Sequence, residues 1–370
     1  MTYLSGSFAD LRRYLGRLVL FLLPIAVLAV AEQVALIQGW LTFRVWEQLA
    51  ILPPGIHPNP PFPGPFYPRQ TVTRSEEGDL GHHTPLAARR RVTWTTDRYG
   101  YRNEDTTVPA TVVVVGDSMV AGSSLDQSEI LSARLAQDLG VPVVNLAPAD
   151  PHAILLQKRF VDHRPRAVVF GISERLLELT ASCEGSPPRP TDDMGEGVLD
   201  RLSVWWWVTR DRQKKQPFLE WAQSRLHHLH VTSFVGRDGS TLFNRGDGVH
   251  TADPALIDQG THNLACCGDL LAANGIAYLP FIVPDKETIY WKLLPSGKKS
   301  DAYRHALDRL KAARLLTVDL DALFSVERER SLEPLYPRDE SHWSARAVAM
   351  ASRELAEALR HLGVIGPTPR

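Results

Sequence analysis

The chain has 370 residues, 44% of them hydrophobic, which is enough for a sizeable core and excludes disorder of the whole. Lys plus Arg number 41 against 42 Asp plus Glu, a net charge of −1, so no global field favours nucleic acid as a partner. The basic run Arg89-Arg90-Arg91 is too short to create such a field locally and reads as a solvated turn.

Leu18 to Ala31 is uncharged and apolar, and after Glu32-Gln33 the apolar character resumes from Val34 to Phe43. A bilayer needs roughly 20 such residues. Arg12, Arg13 and Arg17 precede the stretch, so the positive-inside rule predicts a cytoplasmic tail over 1–17 and a signal anchor over 18–43. Everything after about Arg44 then lies beyond the cell inner membrane, facing the periplasm or cell exterior. The alternative is a cleaved signal peptide, with Leu18 to Leu28 as its apolar core and Ala29-Val30-Ala31 as the small-residue cleavage site. Glu32 counts against a single span; the apolar sequence beyond the cut favours a retained anchor. Either way the rest of the chain is exported. Of three cysteines, Cys183 can pair with Cys266 or Cys267 in that compartment, or the vicinal two are simply small buried apolar residues.

Residues 44–108 read as a spacer and a collar. Pro53 to Pro65 is too Pro-rich for a helix or a central strand and is expected to run extended, lifting the next domain off the membrane. Tyr67 to Asn103 then suggests short strands and loops.

From about Pro109 to the C-terminus strands and helices alternate. Apolar runs at Thr111–Val115, Val141–Asn145, Ala167–Gly171, Ile276–Val283 and Leu315–Val318 predict five strands. Helical patterns at 127–139, 151–162, 264–273, 301–314 and 344–362 separate or follow them. This rhythm predicts an α/β domain over 109–370 with a parallel sheet. An insertion at about 183–262 breaks it, with Trp205-Trp206-Trp207 and a cluster of His227, His228 and His230. The three Trp read either as a platform for stacking sugar rings or as buried core of the insertion, and the second is favoured because three consecutive Trp cannot all face one way. The His cluster lacks Cys or carboxylate partners at ligand spacing, so no metal site is expected, and no Gly-rich phosphate loop or other cofactor motif is present.

Two short segments carry chemistry. Gly116-Asp117-Ser118 follows the first strand, where the chain turns sharply and the amides of the next helix face outward. Asp339-Glu340-Ser341-His342-Trp343 precedes the last helix. A serine hydroxyl is a weak nucleophile that needs an imidazole to take its proton and a carboxylate to fix the imidazole's tautomer. Ser118, His342 and Asp339 supply these three groups, Trp343 can wall the imidazole and Ser344 can cap the helix. The Ser118 amide and an amide near Ala147 are the candidate oxyanion donors.

In this order of motifs the chain resembles the SGNH (GDSL-type) hydrolase superfamily. Further segments are similar to its membrane-anchored, alginate O-acetyltransferase-related branch: Thr96-Asp97-Arg98-Tyr99-Gly100-Tyr101-Arg102-Asn103, Asn145-Leu146-Ala147, Ser173-Glu174-Arg175, Pro284-Asp285-Lys286 with Tyr290, and the Asp-x-x-His-Trp ending. The resemblance covers Tyr99 to Leu362 less the insertion. It implies a flavodoxin-like three-layer fold and acyl-ester chemistry on a carbohydrate, with Ser118 as nucleophile, His342 as base and Asp339 as orienter. The sequence departs from the pattern in having Ala147 where the superfamily has Gly, and Gly171-Ile172-Ser173-Glu174-Arg175 where its oxyanion Asn stands. Arg175 either replaces that Asn or pairs with Glu174 or Asp285. Asp285 and Lys286, beyond the fourth strand, either meet sugar hydroxyls or carboxylates or form a structural ion pair. In the alginate enzymes the Asp-His motif precedes the serine, so alginate itself does not carry over as substrate.

The expectation is an outward-facing enzyme that transfers acyl groups, acetyl above all, to a polysaccharide or removes them. Transfer would need a donor, and the anchor points to a membrane-bound O-acyltransferase as partner. The rival reading is a non-catalytic carbohydrate-binding or scaffolding subunit whose oxyanion hole has decayed.

Overall fold

An apolar helix, a small hairpin and a parallel sheet follow one another along the chain. The computed structural model describes residues 4–38, 40–52, 59–82, 84–180, 197–215, 233–244 and 253–365. Within helix α1 (Leu4–Ile37), the span Leu11–Ile37 holds an 18-residue apolar window of mean hydropathy 2.3 that is almost wholly exposed. Its C-terminal end meets the rest of the molecule: Leu36 is buried, Gln33 Nε2 donates to the Arg212 carbonyl at 3.2 Å, and Gln48 Nε2 donates to the Ile37 carbonyl at 2.5 Å. The helix stops at Ile37, short of Phe43, because the residues that follow turn back onto the collar.

There, α2 (Val45–Leu49) packs on the antiparallel pair β1 (Thr71–Glu76) and β2 (Arg90–Thr95), with Val45, Leu49, Phe66, Val92 and Trp94 as a small core. Arg90 and Arg91 thus lie in a strand, not in a solvated turn. The Thr96–Asn103 segment closes the collar onto the sheet. Asp97 Oδ1 accepts the amides of Tyr99 and Tyr101 at 2.9 and 3.0 Å, and Asp97 Oδ2 accepts from Asn103 Nδ2 at 2.9 Å. Asn103 in turn bonds both backbone groups of Asn145 at 2.8 Å, as a neighbouring strand would. Arg102, fully buried, donates to the carbonyls of Thr93, Ala121, Gly122 and Leu125 and lies 3.8 Å over the Trp94 ring. Burial pushes its pKa down to about 9.

β-Branched runs build the sheet: β3 (Val112–Gly116), β4 (Val143–Asn145), β5 (Ala167–Ser173) and β8 (Ala277–Val283) pair parallel in the order β4-β3-β5-β8, with β3, β5 and nearly all of β8 buried. Short helices α3 (Ser118–Ala121), α4 (Leu131–Leu139) and α5 (Lys158–Asp162) lie among the first three strands. Helix α6 (Val198–Lys214) and the hairpin β6 (Ser233–Val235) with β7 (Leu242–Asn244) interrupt the alternation. After them come α7 (Pro254–Ala273), α8 (Lys286–Ile289), α9 (Ala302–Ala312), α10 (Leu320–Arg330) and α11 (Ala345–His361). Val112, Val114 and Phe281 pack with α4, α10 and α11 on one face; Val113, Val115 and Ile282 pack with α7 and α9 on the other. The result is three layers with the core split by the sheet.

The sheet has four strands among the described residues, not the five expected. Leu315 to Val318 forms no ladder, because the segment is a short link between two helices: the Leu315 amide returns to the Leu310 carbonyl, and Asp319 caps α10 through the Ala322 amide. The three Trp of α6 divide. Trp207 is buried edge-on against Phe62, whereas Trp205 and Trp206 are 61% and 57% exposed, so the buried-core expectation holds for one of them. Cys267 is disulfide-bonded and Cys266 is a free thiol; Cys183 and the three histidines of the 227–230 cluster lie outside the described residues.

Candidate active site

Ser118 opens α3 directly after β3. The turn requires glycine: Gly116 has φ +151°, and a Cβ there would stand 2.0 Å from the Gly171 carbonyl oxygen of the neighbouring strand. Asp117 fixes the turn from both sides. Its Oδ1 accepts the Met119 amide at 2.9 Å, capping α3, while its Oδ2 accepts the Ser173 amide at 2.8 Å and hydroxyl at 2.5 Å at the end of β5.

His342 arrives on the irregular turn before α11, which Ser344 caps through the Ala347 amide. Its Nε2 is 2.9 Å from Ser118 Oγ, and its Nδ1 is 2.5 Å from Glu340 Oε1. The Trp343 indole N–H donates to the Met119 carbonyl at 3.0 Å, joining the turn to the nucleophile's helix. Serine, imidazole and carboxylate therefore stand in line, with His342 and Glu340 buried and Ser118 half-buried.

The carboxylate is Glu340; Asp339, the expected orienter, faces the other way. Asp339 Oδ2 accepts the amides of Gly78 and Ala88, both at 2.9 Å, its Oδ1 pairs with Arg90, and its carbonyl accepts the Leu80 and Gly81 amides. Glu340 has one more methylene and folds back beneath the ring, so that Oε1 reaches Nδ1. Its Oε2 accepts from Ser124 Oγ at 2.6 Å, the Asp79 amide at 3.1 Å and Arg90 at 3.2 Å. Burial acts to raise its pKa, but the hydrogen bond and charge of His342, with Asp79 and Ser124, hold it well below the usual carboxylate range. Glu340 sits two positions before the histidine, and that proximity was the signal available in the sequence. Gly78 and Gly81 let the collar approach: a Cβ on Gly78 would stand 2.1 Å from the Asp339 carbonyl oxygen.

The remaining candidates have structural partners. The Ala147 amide donates to Asn145 Oδ1 at 2.8 Å and is not a free oxyanion donor; among the described residues the Ser118 amide meets no acceptor and is the donor that remains. Arg175 pairs with Asp285 at 2.9 Å, the ion-pair alternative, and the Asp285 amide donates to Glu174. Burial pushes Glu174 up to about 7 and Asp285 well above its ordinary value, although Arg175 pulls the latter back. Lys286 is 1% exposed, buried away from solvent. Its ammonium donates to the carbonyls of Pro337, Arg338 and Glu340 at 2.7, 2.9 and 3.1 Å, a post beneath the catalytic turn, and burial lowers its pKa to about 8.

Asp79, Glu340 and His342 place three potential ligand atoms within 4.8 Å of one another. Ligands on one tetrahedral zinc ion, each roughly 2.1 Å from it, stand about 3.4 Å apart. The 2.5 Å between Nδ1 and Oε1 is instead a hydrogen-bond separation.

Residues 234–369 match a family model described as the SGNH hydrolase-like domain of the acetyltransferase AlgX. The match contains His342 and Glu340 but not Ser118. No curated protein matches the sequence significantly. Among solved structures, the chain is similar to a lipase/acylhydrolase from Enterococcus faecalis, at 12% identity over 70% of this chain and 99% of that one, TM-score 0.36. It is also similar to a GDSL-like lipase from Bacteroides thetaiotaomicron VPI-5482, at 14% identity over 68% and 88%, TM-score 0.31. A third likeness is to the salicylyl-acyltransferase SsfX3 from a tetracycline biosynthetic pathway, at 13% identity over 75% and 60%, TM-score 0.34.

Proposed function

We propose that this chain, whose residues 234–369 match an SGNH hydrolase-like family model, is a membrane-anchored SGNH-type enzyme moving acyl groups, acetyl above all, onto or off an extracytoplasmic polysaccharide. The observation that carries the reading is the Ser118–His342–Glu340 relay at the edge of the sheet. In the first half-reaction His342 Nε2 takes the Ser118 proton as Oγ attacks the ester carbonyl. The Ser118 amide supports the oxyanion, and Glu340 balances the imidazolium. Collapse of the intermediate returns the proton to the leaving alcohol and leaves acyl-serine. A sugar hydroxyl or water, deprotonated by His342, then attacks, and Ser118 is restored. A membrane-bound acyltransferase as donor fits a nucleophile held near an anchor. Arg12, Arg13 and Arg17 before the uncharged run Leu18–Ala31 support an outward-facing domain by the positive-inside rule.

One observation favours the rival, a carbohydrate-binding scaffold: the Ala147 amide and Arg175 are both engaged elsewhere, so the oxyanion site is poorly furnished. Labelling the full chain in detergent with a fluorophosphonate, alongside turnover of a chromogenic acetyl ester, decides between them. The enzyme reading expects both activities in the wild type and neither in a folded Ser118→Ala variant. A wild type with neither, binding polysaccharide equally well with or without the hydroxyl, establishes the scaffold.

A further inference from the structure

A second carboxylate stands behind the imidazole, and the relay described above does not use it. Asp79 comes from the connection between β1 and β2. Its Oδ1 accepts the Ser341 amide at 2.7 Å, and its Oδ2 accepts the Ser341 hydroxyl at 2.5 Å and lies 3.8 Å from His342 Nδ1. Its own amide donates to Glu340 Oε2 at 3.1 Å. One collar residue thus grips the histidine's neighbour through its side chain and the orienting carboxylate through its backbone. The groups facing the imidazole are Glu340, Asp79, the Ser341 hydroxyl 3.4 Å from Nδ1, and Ser118; beyond them Arg90 and Ser124 meet Glu340, and Arg44 is 3.8 Å from Asp79.

We propose that Asp79 is a positioning residue for the serine reaction, fixing the His342 turn through Ser341 and adding a second negative charge behind the imidazolium formed when the Ser118 proton moves to Nε2. The inference rests on the serine-enzyme reading. Nδ1 carries one proton and Glu340 Oε1 receives it, so Asp79 acts through the turn and through its field. Burial, and then the Glu340 charge, hold the Asp79 pKa raised although the charge of His342 opposes them, so Asp79 adds its charge at pH values above that raised pKa.

The experiment follows fluorophosphonate labelling rate and acetyl-ester turnover against pH for the full chain, its Asp79→Asn and Ser341→Ala variants, with folding checked by circular dichroism. Asp79→Asn is expected to lower kcat roughly 10²-fold, the order lost when a catalytic group is slightly misplaced, with KM within about twofold. An imidazolium with one carboxylate fewer gives up its proton more readily, so the acid limb of kcat/KM moves to lower pH. Ser341→Ala, which keeps the charge and the amide contact but loses the hydroxyl's half of the grip, lowers kcat by less and leaves the limb in place. An Asp79→Asn variant with wild-type rate and limb overturns the proposal. So does one whose loss of rate follows its unfolded fraction alone, or, should that variant not fold, a Ser341→Ala variant with wild-type kcat. A wild type that takes no label overturns the serine reading itself, a result separable from these.

Discussion

The two halves of the site are built in opposite ways. Ser118 stands on a turn between a buried strand and a helix, set by a glycine cradle and by Asp117 two strands wide. His342 stands on a turn with no regular structure, held by Asp79, Gly78, Ala88 and Arg90 from more than 200 positions earlier in the chain. Ser118, the proposed nucleophile, is thus positioned by the local backbone of the core, whereas His342, the proposed base, is positioned by long-range polar contacts. An error in the first unfolds the sheet edge; an error in the second leaves a folded protein with a misaimed imidazole.

The largest expected effect tests which carboxylate belongs to the base. Glu340→Gln should lower kcat by about 10⁴-fold, the order seen when an orienting acid becomes an amide. Asp339→Asn should leave chemistry per folded molecule nearly intact while lowering stability. Equal losses of kcat in the two variants, measured with the acetyl ester, would erase the distinction drawn between them. Next comes the clamp: Arg90→Met removes the cation shared by Asp339 and Glu340, both buried, and should cost about 3 kcal/mol, read as a lowered denaturation midpoint of the full chain in detergent. The smallest effect concerns the direct link between the halves. Trp343→Phe keeps the stacking on Phe281 but leaves the Met119 carbonyl without its donor, for about 1–2 kcal/mol and a modest loss of rate.

The same contrast explains what the sequence made legible. Ser118 was readable because an uninterrupted valine run and a Gly-Asp-Ser turn encode their geometry locally. His342 was readable as a residue type before an amphipathic helix. Which of Asp339 and Glu340 turns inward was not, because it depends on where the collar's amides and Arg90 arrive. Lys286 read as a sugar contact or as half of an ion pair, since nothing nearby in sequence announces three carbonyls waiting for its ammonium. Ala147 stood at the expected strand exit, but its amide had a partner two residues away in Asn145. The missing fifth strand had strand composition and no room for a ladder between two helices.

The collar also meets the chain emerging from α1. Arg74 donates to the Thr42 hydroxyl at 2.8 Å and Glu76 accepts the buried Val45 amide at 2.8 Å; only a few residues further along, Gly78 and Asp79 hold the catalytic turn. At about 3.3 Å per residue, Arg74 and Gly78 are some 13 Å apart. With α1 in a bilayer and a glycan as substrate, both as proposed, these contacts would hold the site beside the lipid and not on a free tether, so a polymer reaching it would have to pass close to the membrane.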